Sequence, residues 1–515
     1  MTATPEQSKT QASASEFFLT DHLRADLGAR TARGGAVTIV SHTLRFAITI
    51  AATSVMARLL RPADYGLIGM VAFFTNFVAM FKDLGLSVAT IQKSEINRAQ
   101  VSTLFWLNVG FSVAITAVTI ALSPFVAWFF GDPRLIAITA VTAAGFVLGG
   151  LTVQHEALLR RQMRFYSLVA ILLVATVVGY IVGIFMAWRG FSYWALVFSQ
   201  LALLLTNTVG VWLACRWRPG LPRRNSGVRS MLAFGRNFTG FSIINYFSRN
   251  LDNLLLGKVW GANELGLYNR AYQLMTLPIE QVNEPITSVA IPALSRIKDE
   301  QATYRQAYLR MLEKIAMCTM PAIAFMMATS DWIVQVVLGP QWSATSRIFL
   351  LLGITGLFQP IANTTGWLFL TQGRSRHMLQ WGLISGPLTI ASILVGLPWG
   401  AVGVAASYAV TRVVLTDPLL FWFVGRTGPV RTKDFYRTIA PFTLASLLAL
   451  AVSYGVRNFF VFPNPIVGLI ALFVTTGAVT LICLGALPAG RLALADIRKT
   501  VVLVLKQRQE AVLVR

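Results

Sequence analysis

The sequence predicts an all-α polytopic membrane protein of about fourteen transmembrane helices, with two six-helix lobes related by a pseudo-two-fold axis along the membrane normal and two additional C-terminal helices. Three observations predict it. The chain is 55% hydrophobic and 13% charged over 515 residues, with mean hydropathy +0.63, too apolar for soluble domains. Its apolar residues fall in runs close to the roughly 20 needed to cross a bilayer. Lys and Arg gather in every second connection between those runs, the pattern that cytoplasmic loops impose.

Residues 1–35 read as a cytoplasmic tail. Polar at first, it then alternates Phe17, Leu23 and Leu27 with Arg24, Arg30 and Arg33, which suits either a helix on the inner leaflet or a solvated tail. The N-terminal lobe, 36–213, holds spans at Ala36 to Ala57, Leu67 to Ala89, Leu104 to Trp128, Leu135 to Leu151, Leu168 to Trp188 and Tyr193 to Leu213. A basic cytoplasmic linker, 214–237, follows with Arg216, Arg218, Arg223, Arg224, Arg229 and Arg236.

The C-terminal lobe, 238–424, holds spans at Phe238 to Val259, Leu267 to Ile291, Met311 to Thr329, Ile348 to Phe369, Met378 to Leu397 and Ala401 to Val424. Residues 425–487 supply two more, Thr438 to Tyr454 and Val467 to Leu487, and 488–515 form a basic cytoplasmic tail. The basic connections place both termini inside. An even number of spans per lobe makes the lobes parallel repeats rather than an inverted pair. A short echo supports the duplication: Arg58, Asp64, Gly66 and Leu67 line up with Lys258, Glu264, Gly266 and Leu267.

Several function classes drop out. A formal charge of +23 would suggest nucleic acid in a soluble protein, but here the cations lie in clusters between apolar runs, as topology signals and contacts to anionic lipid. Cys215, Cys318 and Cys483 lie far apart in or beside apolar segments, and His22, His42, His155 and His377 form no HExxH, so neither a disulfide framework nor a metal site is expected. No phosphate-binding GxxxxGK[ST] loop or GxSxG elbow is present. No cofactor is expected, with proton or sodium coupling left open.

A charge near the bilayer centre costs about 2.5 to 3.5 kcal/mol on insertion scales unless paired or hydrated. Arg45 stands inside the first span with His42 and Thr49 on its face. Asn245, Arg249 and Asp252 form a stripe on the seventh, where Arg249 and Asp252 could also simply neutralise each other. The eighth carries Arg270 and a face with Glu280 and Glu284, one turn apart, so that one is expected to hold a proton and serve cation coupling together with Asp252. The tenth offers Gln359, Asn363, Thr364 and Trp367, and the twelfth Arg412. These faces are expected to line a water-filled cavity.

The segments ARLLRPADYGL, FKDLGLSVATIQK, ALLRRQMRF, SRNLDNLLLGKVWGANELGLYNRAYQL and PITSVAIPALSR, in this order and spacing, resemble the polysaccharide repeat-unit flippases of the multidrug/oligosaccharidyl-lipid/polysaccharide exporter superfamily, colanic-acid-exporter type. The resemblance implies two six-helix lobes in a V and transfer of an undecaprenyl-diphosphate-linked oligosaccharide to the outer leaflet of the bacterial inner membrane; whether a polysaccharide polymerase is a partner is left open. It implies no particular binding residues. From location alone, Arg45, Arg249, Arg270 and Arg412 are expected on the diphosphate and Asn363 and Trp367 on sugar. Two other readings stand beside it. A cation-coupled multidrug exporter would want deep acids rather than arginines, and a membrane glycosyltransferase or polymerase would want a sizeable outer loop, where this chain has GDPR, RGFS and LPWG.

Overall fold

The computed structural model describes residues 27–80, 96–222 and 239–488, with a few isolated positions beside them. The expectations for the first 26 residues, for the end of the second span, for most of the basic linker and for the end of the tail lie outside the described residues. Among the described residues the chain is helical, with no strand. Contacts divide it into two compact units, Met1–Gly266 and Leu267–Arg515.

The first unit contains α1 (Leu27–Leu59), α2 (Pro62–Ala79), α3 (Arg98–Phe130), α4 (Arg134–Arg161), α5 (Phe165–Trp188) and α6 (Trp194–Cys215). A single long helical run, Thr239–Arg296, is broken at Gly261, whose φ of 80° no L side chain adopts readily. It is therefore two helices, α7 (239–260) and α8 (262–296), and the chain passes into the second unit early in α8. The second unit continues with α9 (Gln301–Ala328), the short α10 (Ser330–Val337), α11 (Thr345–Thr371) and α12 (Ser375–Gly396). Then come α13 (400–425), α14 (Thr432–Phe459) and α15 (Pro465–Ala486).

Nine stretches among the described residues are long and apolar enough to cross a membrane: α3, α4, α5, α6, α9, α11, α12 taken with α13, α14 and α15. The end of α1 and all of α2 pass that test together, bent by 116° at their junction. The protein is a multi-span helical membrane protein. α7 and α8 are not in this group.

Several helices outrun their apolar cores. α3 has 33 residues, about 50 Å at 1.5 Å per residue, against a hydrocarbon core of about 30 Å. α4 runs on to Arg161 and α9 starts at Gln301, ten residues beyond the expected span ends in each case. The added turns are polar, so hydropathy does not register them, yet capping and packing sustain them. Asn97 caps α3 by accepting the Gln100 N–H at 2.9 Å, and Gln100 returns the contact to Asn97 N–H at 3.2 Å.

Within the first unit, Phe105, Leu158 and Trp217 share a buried cluster that ties α3, α4 and the segment after α6. α7 joins the same unit by laying Tyr246 and Phe247 against Phe73 and Phe77 of α2. α7 and the first turn of α8 thus belong to the first compact unit. The reason is visible in the echoed motifs. A Cβ on Gly66 would stand 1.7 Å from the Ala262 carbonyl oxygen, and one on Gly266 would stand 1.9 Å from the Pro62 carbonyl oxygen. The first turns of α2 and α8 cross backbone to backbone, each glycine under the other's carbonyl.

In the second unit, α9 is joined to α11 by two buried hydroxyl pairs, Tyr304 with Thr371 at 2.6 Å and Tyr308 with Thr364 at 2.7 Å. α14 is held by Arg305 on Asp434, by Arg457 on Asp331 at 2.7 Å and by Ser453 on Thr476 of α15 at 2.9 Å.

Candidate functional site

α7 shows how one helix divides two kinds of chemistry. Phe247 and Leu254, seven residues apart, lie on one face and line a cavity of about 740 Å³ with Phe73, Phe77, Phe111 and Phe125 of α2 and α3. Arg249 is about 200° round the helix from Phe247 at 100° per residue, and Asp252 about 140°. The aromatic cavity and the charged stripe therefore occupy opposite sides. Arg249 is exposed and makes no ion pair among the described residues. Asp252 is half-buried, with Oδ1 accepting the Asn253 N–H at 2.8 Å. The local Arg249–Asp252 neutralisation allowed by the sequence does not form. A guanidinium without an ion pair calls for water or an anion beside it. Arg45, half-buried on α1, belongs to the same unit and likewise has no ion pair among the described residues.

In the second unit, Arg270 is half-buried and donates from Nη1 to Gln273 one turn on. Glu280 and Glu284 are both exposed on α8, between and beside Pro278 and Pro285. Arg412 departs from expectation. Its guanidinium Nη2 lies 3.0 Å from Asp417 Oδ1, with side-chain exposures of 19% and 4%. Rather than a free cation awaiting phosphate, it is one half of a buried ion pair.

The backbone explains the pairing. Residues five apart sit about 140° from each other on an α-helix, but Arg412–Thr416 form a π turn, closed by the Asp417 N–H on the Arg412 carbonyl. The wider turn brings positions 412 and 417 to one face. Pro418 has no N–H to give the preceding turn and would crowd the carbonyl four residues back, so the helix widens ahead of it. Neither Asp417 carboxylate oxygen meets hydrogen-bond geometry with any partner, and Arg412 Nε is likewise unpartnered. The pair is held by charge at close range without alignment. Asp417 is a functional candidate that span-by-span reading missed; the Asp417–Pro418 dipeptide inside an apolar run was its signal.

α11 also differs from the cavity wall expected of it. Trp367 is 4% exposed and meets Tyr308 edge to face at 6.4 Å. It is core rather than a platform for sugar, because the hydroxyls around it pair with α9. Thr364 and Thr371 are consumed in those pairs. Asn363 alone of the expected α11 contacts is exposed. A further polar set on α4 and α6 went unnoticed because α4 outruns its apolar core: Glu156 accepts from Asn207 at 2.9 Å, and Gln154 accepts from Thr90 at 2.9 Å.

Solved structures place this architecture. The lipid II flippase MurJ, inward closed conformation, matches with a TM-score of 0.69 at 14% identity, covering 86% of this chain and 97% of that one. An inward-facing multidrug resistance transporter of the MATE family of the MOP superfamily matches with a TM-score of 0.57 at 13% identity, covering 78% and 99%. The chain shares the fold of these two proteins. The profile described as polysaccharide biosynthesis protein matches residues 55–347, and the chain belongs to that family.

Its relatives include the teichuronic acid biosynthesis protein TuaB of Bacillus subtilis (strain 168), 27% identical over 75% of this chain and 81% of that protein. The lipopolysaccharide biosynthesis protein WzxC of Escherichia coli (strain K12) is 26% identical over 83% and 87%. The succinoglycan biosynthesis transport protein ExoT of Rhizobium meliloti (strain 1021) is 22% identical over 84% and 88%.

Proposed function

We propose that the chain flips undecaprenyl-diphosphate-linked oligosaccharide repeat units from the inner to the outer leaflet of the bacterial inner membrane, for exopolysaccharide or lipopolysaccharide synthesis. The observation that carries this reading is α7: an uncompensated Arg249 on one face and an aromatic-walled cavity on the other, in a chain of the polysaccharide biosynthesis family. Such a substrate joins a charged head to a long apolar chain, and both surfaces are needed to move it. A diphosphate cannot shed its hydration in hydrocarbon, and a guanidinium replaces that water with a planar, permanently charged fork. Arg45, Arg249 and Arg270 serve the diphosphate, Asn363 the sugar, and the phenylalanine cavity the prenyl chain.

We take the topology to be fourteen spans with both termini cytoplasmic, which suits this direction of transport. So does the membrane potential, which favours outward movement of an anion by about 2.3 kcal/mol per charge per 100 mV. Alternating access returns the emptied, cationic protein, with Asp252, Glu280 or Glu284 taking up a proton or sodium ion for the return. Flipping in liposomes indifferent to pH, sodium and voltage would remove this coupling. The chain acts as a transporter and hands its product to a polymerase.

Deleting the gene and following lipid-linked intermediates by mass spectrometry tests the main reading. Accumulation of one diphosphate-linked repeat unit on the inner leaflet is expected. An unchanged lipid pool together with new sensitivity to cationic drugs would point to drug export, and a glycosyl-transfer activity of the purified protein would point to the enzyme.

A further inference from the structure

At the end of the second unit where α9 begins, three connections meet: Gln301 at the start of α9, the α11–α12 turn at Arg374, and the α13–α14 turn at 426–431. Together they enclose an open cavity of about 520 Å³ whose lining includes Arg374, Arg426, Arg431 and Lys433 and no carboxylate. Two acids adjoin the lining in sequence: Glu300 is exposed ahead of Gln301, and Asp434 is already engaged. Asp434, 8% exposed, accepts the Arg431 N–H at 2.8 Å and is gripped by the Arg305 guanidinium, with Nε at 2.8 Å. Four cations therefore face one concavity with no countercharge in its wall.

The cavity is built rather than incidental. Gly373, at φ +66°, turns the chain so that Arg374 follows α11, and Arg374 Nη2 donates to the Thr427 carbonyl at 2.6 Å. A Cβ on Gly425 would lie 2.3 Å from Thr432 N, and one on Gly428 would lie 3.3 Å from Arg374 Nη1. Side chains at those positions would push the two turns apart or crowd the arginine. Arg426 lies over the rings of Trp422 and Phe423, 4.9 Å from each centroid. Trp422 and Tyr436 are exposed beside it, the signature of a helix end at headgroup depth.

We propose that this cavity binds the phosphate of a membrane lipid headgroup, drawn either from an anionic phospholipid or from a diphosphate-linked carrier waiting at the inner leaflet. The leaflet rests on the cytoplasmic placement of this helix end in the reading above, whereas the phosphate chemistry does not. Guanidinium forks suit phosphate oxygens, and the rings under Arg426 keep its charge at the interface.

Native mass spectrometry of the purified full-length protein, with phosphatidylglycerol or phosphatidylcholine added and inorganic pyrophosphate as soluble competitor, tests it. Retention of phosphatidylglycerol over phosphatidylcholine by about tenfold is expected, a preference of about 1.4 kcal/mol. The triple variant R374Q/R426Q/R431Q should lose that preference, and R374K/R426K/R431K should keep most of it. The exposed single change R426Q should reduce it without disturbing the fold.

Release of phosphatidylglycerol by pyrophosphate assigns the site to diphosphate headgroups; resistance to pyrophosphate assigns it to phospholipid; both support a phosphate site. Equal retention of the two lipids by the native protein, or equal preference in the native and glutamine forms, overturns it. The readout is lipid retention, so its failure leaves the flippase reading standing, and loss of flipping on changing Arg249 leaves the lipid site standing.

Discussion

Arg249 and Arg412 look alike in the sequence, each a lone cation inside an apolar run, and the structure treats them oppositely. Arg249 is exposed on α7 without an ion pair among the described residues, whereas Arg412 is buried against Asp417 at 3.0 Å. The difference comes from the backbone. α7 carries its acid at i+3 and leaves it turned to its own chain, while the π turn before Pro418 swings an acid from i+5 into reach. An arginine in such a run stays without an ion pair only when the local helix geometry denies it an acid.

The contrast breaks most sharply at the buried pair. Arg412→Ala leaves the Asp417 carboxylate buried alone and should cost about 3 to 5 kcal/mol, while removing both charges in R412M/D417L should restore most of that stability. Thermal unfolding in detergent measures both; equal losses in the single and double variants would mean the pair is not what holds α13. At Arg249 the order reverses. Arg249→Ala should leave unfolding unchanged but lower flipping by about tenfold or more, the scale of about 1.5 to 3 kcal/mol for a hydrogen bond to a charged group. Arg249→Lys should fall between, since it keeps charge and loses the fork.

A smaller effect separates packing from charge. Gly66→Val and Gly266→Val should each destabilise by about 1 to 3 kcal/mol through overpacking, and less than additively when combined, because both open the same crossing. The smallest concerns pH. In the turn between α3 and α4, the Arg134 side chain bonds Asp132 at 2.7 Å and holds its carboxyl below the usual range. That contribution is complete above the ordinary carboxylate range and disappears as pH falls through the depressed value. Asp132→Asn should flatten this acid limb of an unfolding-versus-pH curve slightly, as an exposed pair does.

The membrane class and most helix positions were legible in the sequence because hydropathy and basic clustering act over windows of about 20 residues. Arg249 stands out for the same reason, as a charge in an apolar run, while its pairing with Asp252 stays open in the sequence. What escaped depends on contacts no window contains. Trp367 resembled a sugar platform until Tyr308 was found against it, and Arg412 resembled a phosphate ligand until the π turn supplied Asp417. The polar extensions of α3, α4 and α9 escaped because they continue past the bilayer, where apolarity is no longer required.

The crossing of α2 and α8 constrains more than packing. Each glycine occupies the space that the other segment's carbonyl needs, Gly66 under Ala262 and Gly266 under Pro62, so the two copies of the motif cannot diverge independently. In a chimera that takes one copy from a relative, the incoming segment must bring its own glycine to the same depth in its helix. A one-residue insertion in either turn would have to be matched in the other. The two turns work as a mated pair of parts, and exchanging both together should succeed where exchanging one fails.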